Sequence, residues 1–140
     1  MVLVDSSVWI DLLRNQSTPQ TGILRKLLED NTAALAPVVY QEILQGAASA
    51  ERLLKLRKYF STLPFLLPAH PIKTHEKAAE LYAHCRFSGY TPRSPHDCLI
   101  ARIAIENGVR LLHDDRDFDK IAKIEPKLKL IAATKRLPSK

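Results

Sequence analysis

Four aspartates, Asp114, Asp115, Asp117 and Asp119, crowd into six positions directly after the apolar run VRLL, in a chain of 140 residues with formal net charge +6. Other acids stand in comparable settings elsewhere: Asp5 after VLV, Glu42 inside VVYQEILQG, and Asp97 inside SPHDCLIA. Carboxylates about 4 Å apart repel by roughly 4 kcal/mol per pair at an effective dielectric near 20, so gathering them is unfavourable unless a cation sits among them. Magnesium and manganese take oxygen ligands, keep several waters and suit sites that also receive phosphate oxygens. His113 adjoins the cluster but offers nitrogen, and with no second histidine at zinc-ligand spacing a zinc site does not follow.

Each acid also has a local role to set against that chemistry. Asp5 is placed to cap a helix beginning at Ser6. Asp97 follows Ser94 by three residues, with Pro95 at a favourable first helical position, which makes S-P-H-D a capping signature. Glu42, beside Tyr40, Gln41 and Gln45, is the kind of helical glutamate that is usually solvated. Asp114 and Asp119 are assigned to the turn and to the short helix after it. These local roles are independent of one another, whereas one bound cation accounts for the placement of Asp5, Glu42, Asp97, Asp115 and Asp117 together.

The elements that must position these residues follow from hydrophobic period. VLV (2–4) is too short for a helix and reads as a strand, followed by a turn and a helix with Val8, Trp9, Leu12 and Leu13 at helical spacing. Residues 21–31 form a second helix, 33–37 a short buried strand, and Pro37 opens a helix that Gly46 is expected to end. Residues 49–60 predict an amphipathic helix with a basic stripe of Arg52, Lys55 and Lys58. FLL (65–67) is a third strand, 72–87 a long helix, SGYTPRSP (88–95) a loop, and HDCLIARIAIENG a helix followed by Gly108. VRLLH is a strand leading into the aspartates, DFDKIAKI a short helix, and LKLIAA, near 129 to 133, the last strand. Strands alternating with helices imply a three-layer α/β/α domain around a parallel sheet. In such sheets the site lies outside the carboxyl ends of the strands. Asp5 and the pair Asp115 and Asp117 meet that rule directly, and Asp97 and Glu42 reach the same rim from near the starts of their helices.

The length fits a single domain over 1–140, with no apolar run long enough to span a membrane and no signal-peptide pattern at the start. A cytoplasmic location is expected. Cys85 and Cys98 match neither a disulfide framework nor a CxxC metal site and read as buried thiols. The surplus of 21 Lys and Arg over 15 Asp and Glu favours polyanionic partners.

The ordered set VLVDSSVWIDLL, VVYQEILQG and SPHDCLIARIAIENGVRLLHDDRDFDKIA resembles the PIN-domain ribonucleases, and within them the VapC-type toxins of bacterial and archaeal toxin–antitoxin pairs. The resemblance runs nearly end to end. It implies a metal-dependent endoribonuclease using Mg2+ or Mn2+, an RNA substrate, a cognate antitoxin and a homodimer. Residue by residue it assigns Asp5, Glu42 and Asp97 to the metal and catalysis. It leaves both Asp115 and Asp117 as the last acid, and matches Ser6 to a hydroxyl that supports the first aspartate. His113 stands where many relatives carry Thr, which bears on the hydrogen bonding around Asp115.

The implied chemistry is hydrolysis of an RNA phosphodiester by in-line attack of a water activated at the metal, with Glu42 completing the shell or accepting a proton. No nucleophile elbow accompanies the Ser, His and Asp residues, and no cysteine is placed as a nucleophile. A receiver domain would need an aspartate after its central strand, which FLLPAH lacks. A HAD-type phosphatase would need Asp-x-Asp where this chain has Asp-Ser-Ser. The alternative from another class is a non-catalytic RNA- or protein-binding module that keeps the fold. Arg93, Arg116 and Lys120 flank the acids, where they either meet phosphates or are simply solvated.

Overall fold

The computed structural model describes residues 1–131. Its centre is a parallel sheet in the order β2-β1-β3, built from β1 (Val2–Val4), β2 (Ala33–Ala34) and β3 (Arg110–Leu112). Leu3 of β1 pairs with Ala34 on one side and Leu111 on the other. All three β1 residues are buried, as a strand covered on both faces requires. Single parallel bridges, Leu35 to Phe65 and Leu111 to Leu130, extend the sheet at both edges.

FLL is therefore not a strand of its own. Leu35 donates to the Pro64 carbonyl and Leu66 to the Leu35 carbonyl, and Pro64 and Pro68, lacking N–H groups, stop the pairing there. LKLIAA likewise contributes one bridge, at Leu130, and its residues 132 and 133 lie outside the described part.

Seven helices accompany these strands among the described residues: α1 (Ser6–Leu13), α2 (Pro19–Glu29), α3 (Pro37–Gln45), α4 (Ala50–Phe60), α5 (Pro71–Phe87), α6 (Pro95–Glu106) and α7 (Arg116–Ile124). Proline occupies the first turn of α2, α3, α5 and α6, where its missing N–H has no partner to lose. Two left-handed glycines act as punctuation: Gly89 after α5 (φ 90°) and Gly108 after α6 (φ 65°). Gly46 ends α3 differently, at φ −86°, without a left-handed cap.

The helices pack in two sets. α1 contacts α2 and α3, and α3 contacts α4; α5, α6 and α7 contact one another, and α3 meets α6 where the sets join. The core between them joins Leu3 and Val4 of β1, Leu111 and Leu112 of β3, Ile100 and Ile103 of α6, and the fully buried rings of Trp9, Phe60 and Phe118. Trp9 meets Phe60 edge-on with centroids 5.1 Å apart, and its Nε1 donates to the Val4 carbonyl. This pins α1 to the end of β1, next to Asp5. Cys85 and Cys98 are both buried free thiols, and burial pushes the Cys98 thiol up to about 12. No described helix is long and apolar enough to cross a membrane.

Candidate active site

The carboxyl ends of β1 and β3 are adjacent because the two strands pair in register, Val4 opposite Leu112. β1 is followed at once by an acid that caps a helix, and β3 by one three residues on. Asp5 caps α1, its carboxylate accepting from the Ser7 N–H at 3.2 Å and the Ser7 hydroxyl at 2.7 Å. The local capping role and a place at the rim are thus compatible in one side chain. Burial pushes the Asp5 carboxyl up, the Ser7 hydrogen bonds offset part of this, and the charge of Glu42 adds to it.

Glu42 lies in the middle of α3 rather than near its start, yet it faces the same region. One oxygen accepts from the Ser6 hydroxyl at 2.8 Å and the other lies 3.3 Å from His96 Nδ1. Ser6 therefore supports the glutamate, not the first aspartate as the resemblance implied, and Ser7 takes that role. Adjacent residues at a helix start point about 100° apart, so two neighbouring hydroxyls reach two different acids.

Asp97 is only 7% exposed. The expected capping signature is present, but Ser94 performs it by accepting from the His96 N–H, and the Asp97 backbone N–H goes to the Ser94 carbonyl. The Asp97 carboxylate is left out of the cap, and no described residue donates a hydrogen bond to it. Burial, followed by the charges of Asp5, Asp115, Asp117 and Glu42, pushes its carboxyl up to about 8. The five acids thus share one electrostatic neighbourhood with Asp97 at its centre.

Asp115 caps α7 by accepting from the Asp117 N–H at 2.9 Å, and the same oxygen receives Arg93 Nη2 at 2.9 Å. Asp117 is more fully engaged. One oxygen accepts from the Tyr90 hydroxyl, the other from the Arg93 N–H at 3.1 Å and Arg93 Nε at 3.3 Å. Burial raises the Asp117 carboxyl, but the Tyr90 and Arg93 donors outweigh it and hold the group below the usual carboxylate range. One oxygen each from Asp97, Asp115 and Asp117 lies within 4.8 Å of the others. That spacing and the all-oxygen donor set fit a hard divalent cation.

His113 is buried, and its Nδ1 accepts the Asp115 N–H at 3.1 Å. The ring proton therefore belongs on Nε2, which lies 3.5 Å from Asp119. The histidine aligns the backbone of the capping acid, and Asp119 serves the histidine rather than the cluster. The Asp114 N–H reaches the Ser7 hydroxyl at 3.2 Å, tying the two strand ends together.

The family model described as PIN domain matches residues 2–124, a span that holds every one of these acids. This chain belongs to the PIN-domain family. Among its relatives, Ribonuclease VapC11 of Mycobacterium tuberculosis is 36% identical over 126 residues, covering 89% of this chain and 93% of that protein. Ribonuclease VapC32 of the same species is 30% identical over 116 residues, covering 83% and 86%. The fold is shared with DNA-bound VapBC from Salmonella typhimurium, at TM-score 0.72 and 19% identity over 93% of this chain and 96% of that one. VapBC2 from Rickettsia felis bound to a promoter DNA fragment gives 0.71 and 22% over 94% and 98%.

Tyr90, Ser7 and His96 were not singled out by sequence. For Ser7 the doubled hydroxyl of Asp-Ser-Ser was a usable signal. Tyr90 and His96 act across 27 and 54 residues of chain, and local sequence carries no mark of such pairings.

Proposed function

We propose that this PIN-domain protein is a metal-dependent endoribonuclease, the toxin of a toxin–antitoxin pair, using Mg2+ or Mn2+ to hydrolyse RNA phosphodiesters. The observation that carries the reading is Asp97: a buried carboxylate, surrounded by four other acids, to which no described group donates. Holding acids this close together is unfavourable, and a cation among them offsets the repulsion. Its relatives among the VapC ribonucleases support the substrate class.

In this reading Asp97, Asp115 and Asp117, the three acids whose oxygens lie together, would hold metal, with Asp5 beside them and Glu42 at the edge of the shell. Bound there, the metal supplies Lewis acidity and lowers the pKa of a coordinated water. The chain's own residues do the rest. Ser7 and Ser6 fix the carboxylates of Asp5 and Glu42. His113 aligns the backbone of Asp115. Glu42, unlike Asp97, has an exposed histidine beside it and is placed to accept a proton from water. The VapBC complexes among its structural neighbours support an antitoxin partner, and a homodimer is part of the same reading.

The test is incubation of the purified protein, freed of any partner, with total cellular RNA in magnesium or manganese and then in chelator. Metal-dependent fragmentation that is lost in Asp97→Asn is expected. No cleavage under either metal, with a cooperative melt intact, would leave the non-catalytic binding module as the better reading.

A further inference from the structure

The loop before α6 presents an arginine that its ion pairs do not exhaust. Arg93 Nε reaches Asp117 and one Nη2 hydrogen reaches Asp115, yet the side chain is 75% exposed. A guanidinium has five N–H donors in a rigid fork, so about three remain without a described acceptor. The loop does not depend on the guanidinium for its anchorage: the Arg93 backbone N–H and the Tyr90 hydroxyl both bond Asp117 independently. Lys120 of α7 places its ammonium 4.8 Å from the Tyr90 ring centroid. No described carboxylate lies within ion-pair distance of Lys120. Two exposed cations are therefore linked through Tyr90 and Asp117, Lys120 on the ring and Arg93 on the shared carboxylate, and Arg93 is held in a set orientation by the acids of the site.

We propose that Arg93 and Lys120 form a phosphate-binding edge that holds the RNA backbone next to the acid cluster. The acids themselves repel a polyanion, so substrate needs a positive contact close by, and a pinned guanidinium loses less freedom on binding phosphate than a free one. Arg93 and Lys120 are positioning residues here, and the inference rests on the ribonuclease reading only for the identity of the strand as RNA. An acidic protein segment is the competing occupant of the same edge.

The experiment measures binding of a fluorescent 20-nucleotide oligouridylate by anisotropy, in EDTA so that no metal is present, over a range of salt. For single strands each phosphate contact contributes a slope of about −0.7 in log K against log salt. Arg93→Gln and Lys120→Gln are each expected to weaken binding severalfold at low salt and to flatten the slope by about 0.7, with Lys120→Arg restoring it. Lys26→Gln, which removes a cation on α2 already paired with Asp30, is expected to leave the slope unchanged. Equal slopes for wild type and both variants would overturn the proposal, as would an equal loss in Lys26→Gln. So would weakening confined to a glutamate-rich 20-residue peptide probe, which would assign the edge to an acidic protein. Lys120 makes no described hydrogen bond or ion pair, so its variant keeps the test decisive if Arg93→Gln unfolds. Loss of slope in a protein that cuts no RNA in any metal would retain the edge and reject only the ribonuclease.

Discussion

At the residue scale the chemistry turns on carboxylates treated differently by their surroundings. Asp97 and Asp117 both face the same cluster, yet one is pushed up to about 8 and the other is held down. The difference is hydrogen-bond donors: Asp117 has the Tyr90 hydroxyl and two groups of Arg93, and Asp97 has none described. A carboxyl whose pKa is higher in the fold than in the unfolded chain binds more protons when folded. In chelator, stability should therefore fall as pH rises from about 4 to about 8, by up to roughly 1.4 kcal/mol per pH unit from this group. Asp97→Asn should flatten that profile and melt higher than wild type at pH 8, with the gap closing toward pH 4; melting curves across pH check this. Asp117→Asn should act oppositely. It weakens the bonds that tie the loop to α7, and a loss of about 1–3 kcal/mol is expected in denaturant titrations.

At the scale of elements, two strand ends and two helix starts do the positioning. β1 and β3 end side by side, and the acids that follow them cap α1 and α7 while facing a common space. The serine pair after Asp5 splits its work between Asp5 and Glu42, linking α1 to α3. Ser6→Ala should lower cleavage activity more than stability, because it frees Glu42 but leaves the cap of α1 in place; kcat measured beside the melting temperature separates the two. Further from the site, Phe60 closes α4 against Trp9 and Tyr40 with no exposed surface. Phe60→Ala should cost about 3–5 kcal/mol, seen as a lowered denaturant midpoint. Because Trp9 is bonded to Val4 at the mouth of the site, that loss should also reduce metal affinity.

At the scale of the molecule, a chain of net charge +6 carries five acids in one neighbourhood. A cation that binds only the folded state should raise stability by about 2.7 kcal/mol at a concentration 100 times its Kd. Thermal melts should shift upward with manganese, return with chelator, and fail to shift in Asp5→Asn or Asp97→Asn. The presence of these acids, Glu42 in mid-helix excepted, was legible in the linear chain because each follows an apolar run or opens a helix, and hydrophobic period places such ends with little help from tertiary contacts. The edge strands were less legible. FLL and LKLIAA have strand composition, but how many pairs form depends on where a neighbour and its prolines stand.

Period, composition and the order of acids along the chain determined by themselves that strands would alternate with helices and that Asp5, Glu42, Asp97, Asp115 and Asp117 were the residues to watch. Tertiary structure alone decided which hydroxyl serves which carboxylate, that no described residue donates to Asp97 while Asp117 has three donors, and that Arg93 is pinned beside them. The reason is physical. A local pattern reports which face of an element is apolar, whereas a hydrogen bond between residues far apart in sequence depends on the packing of every element between them.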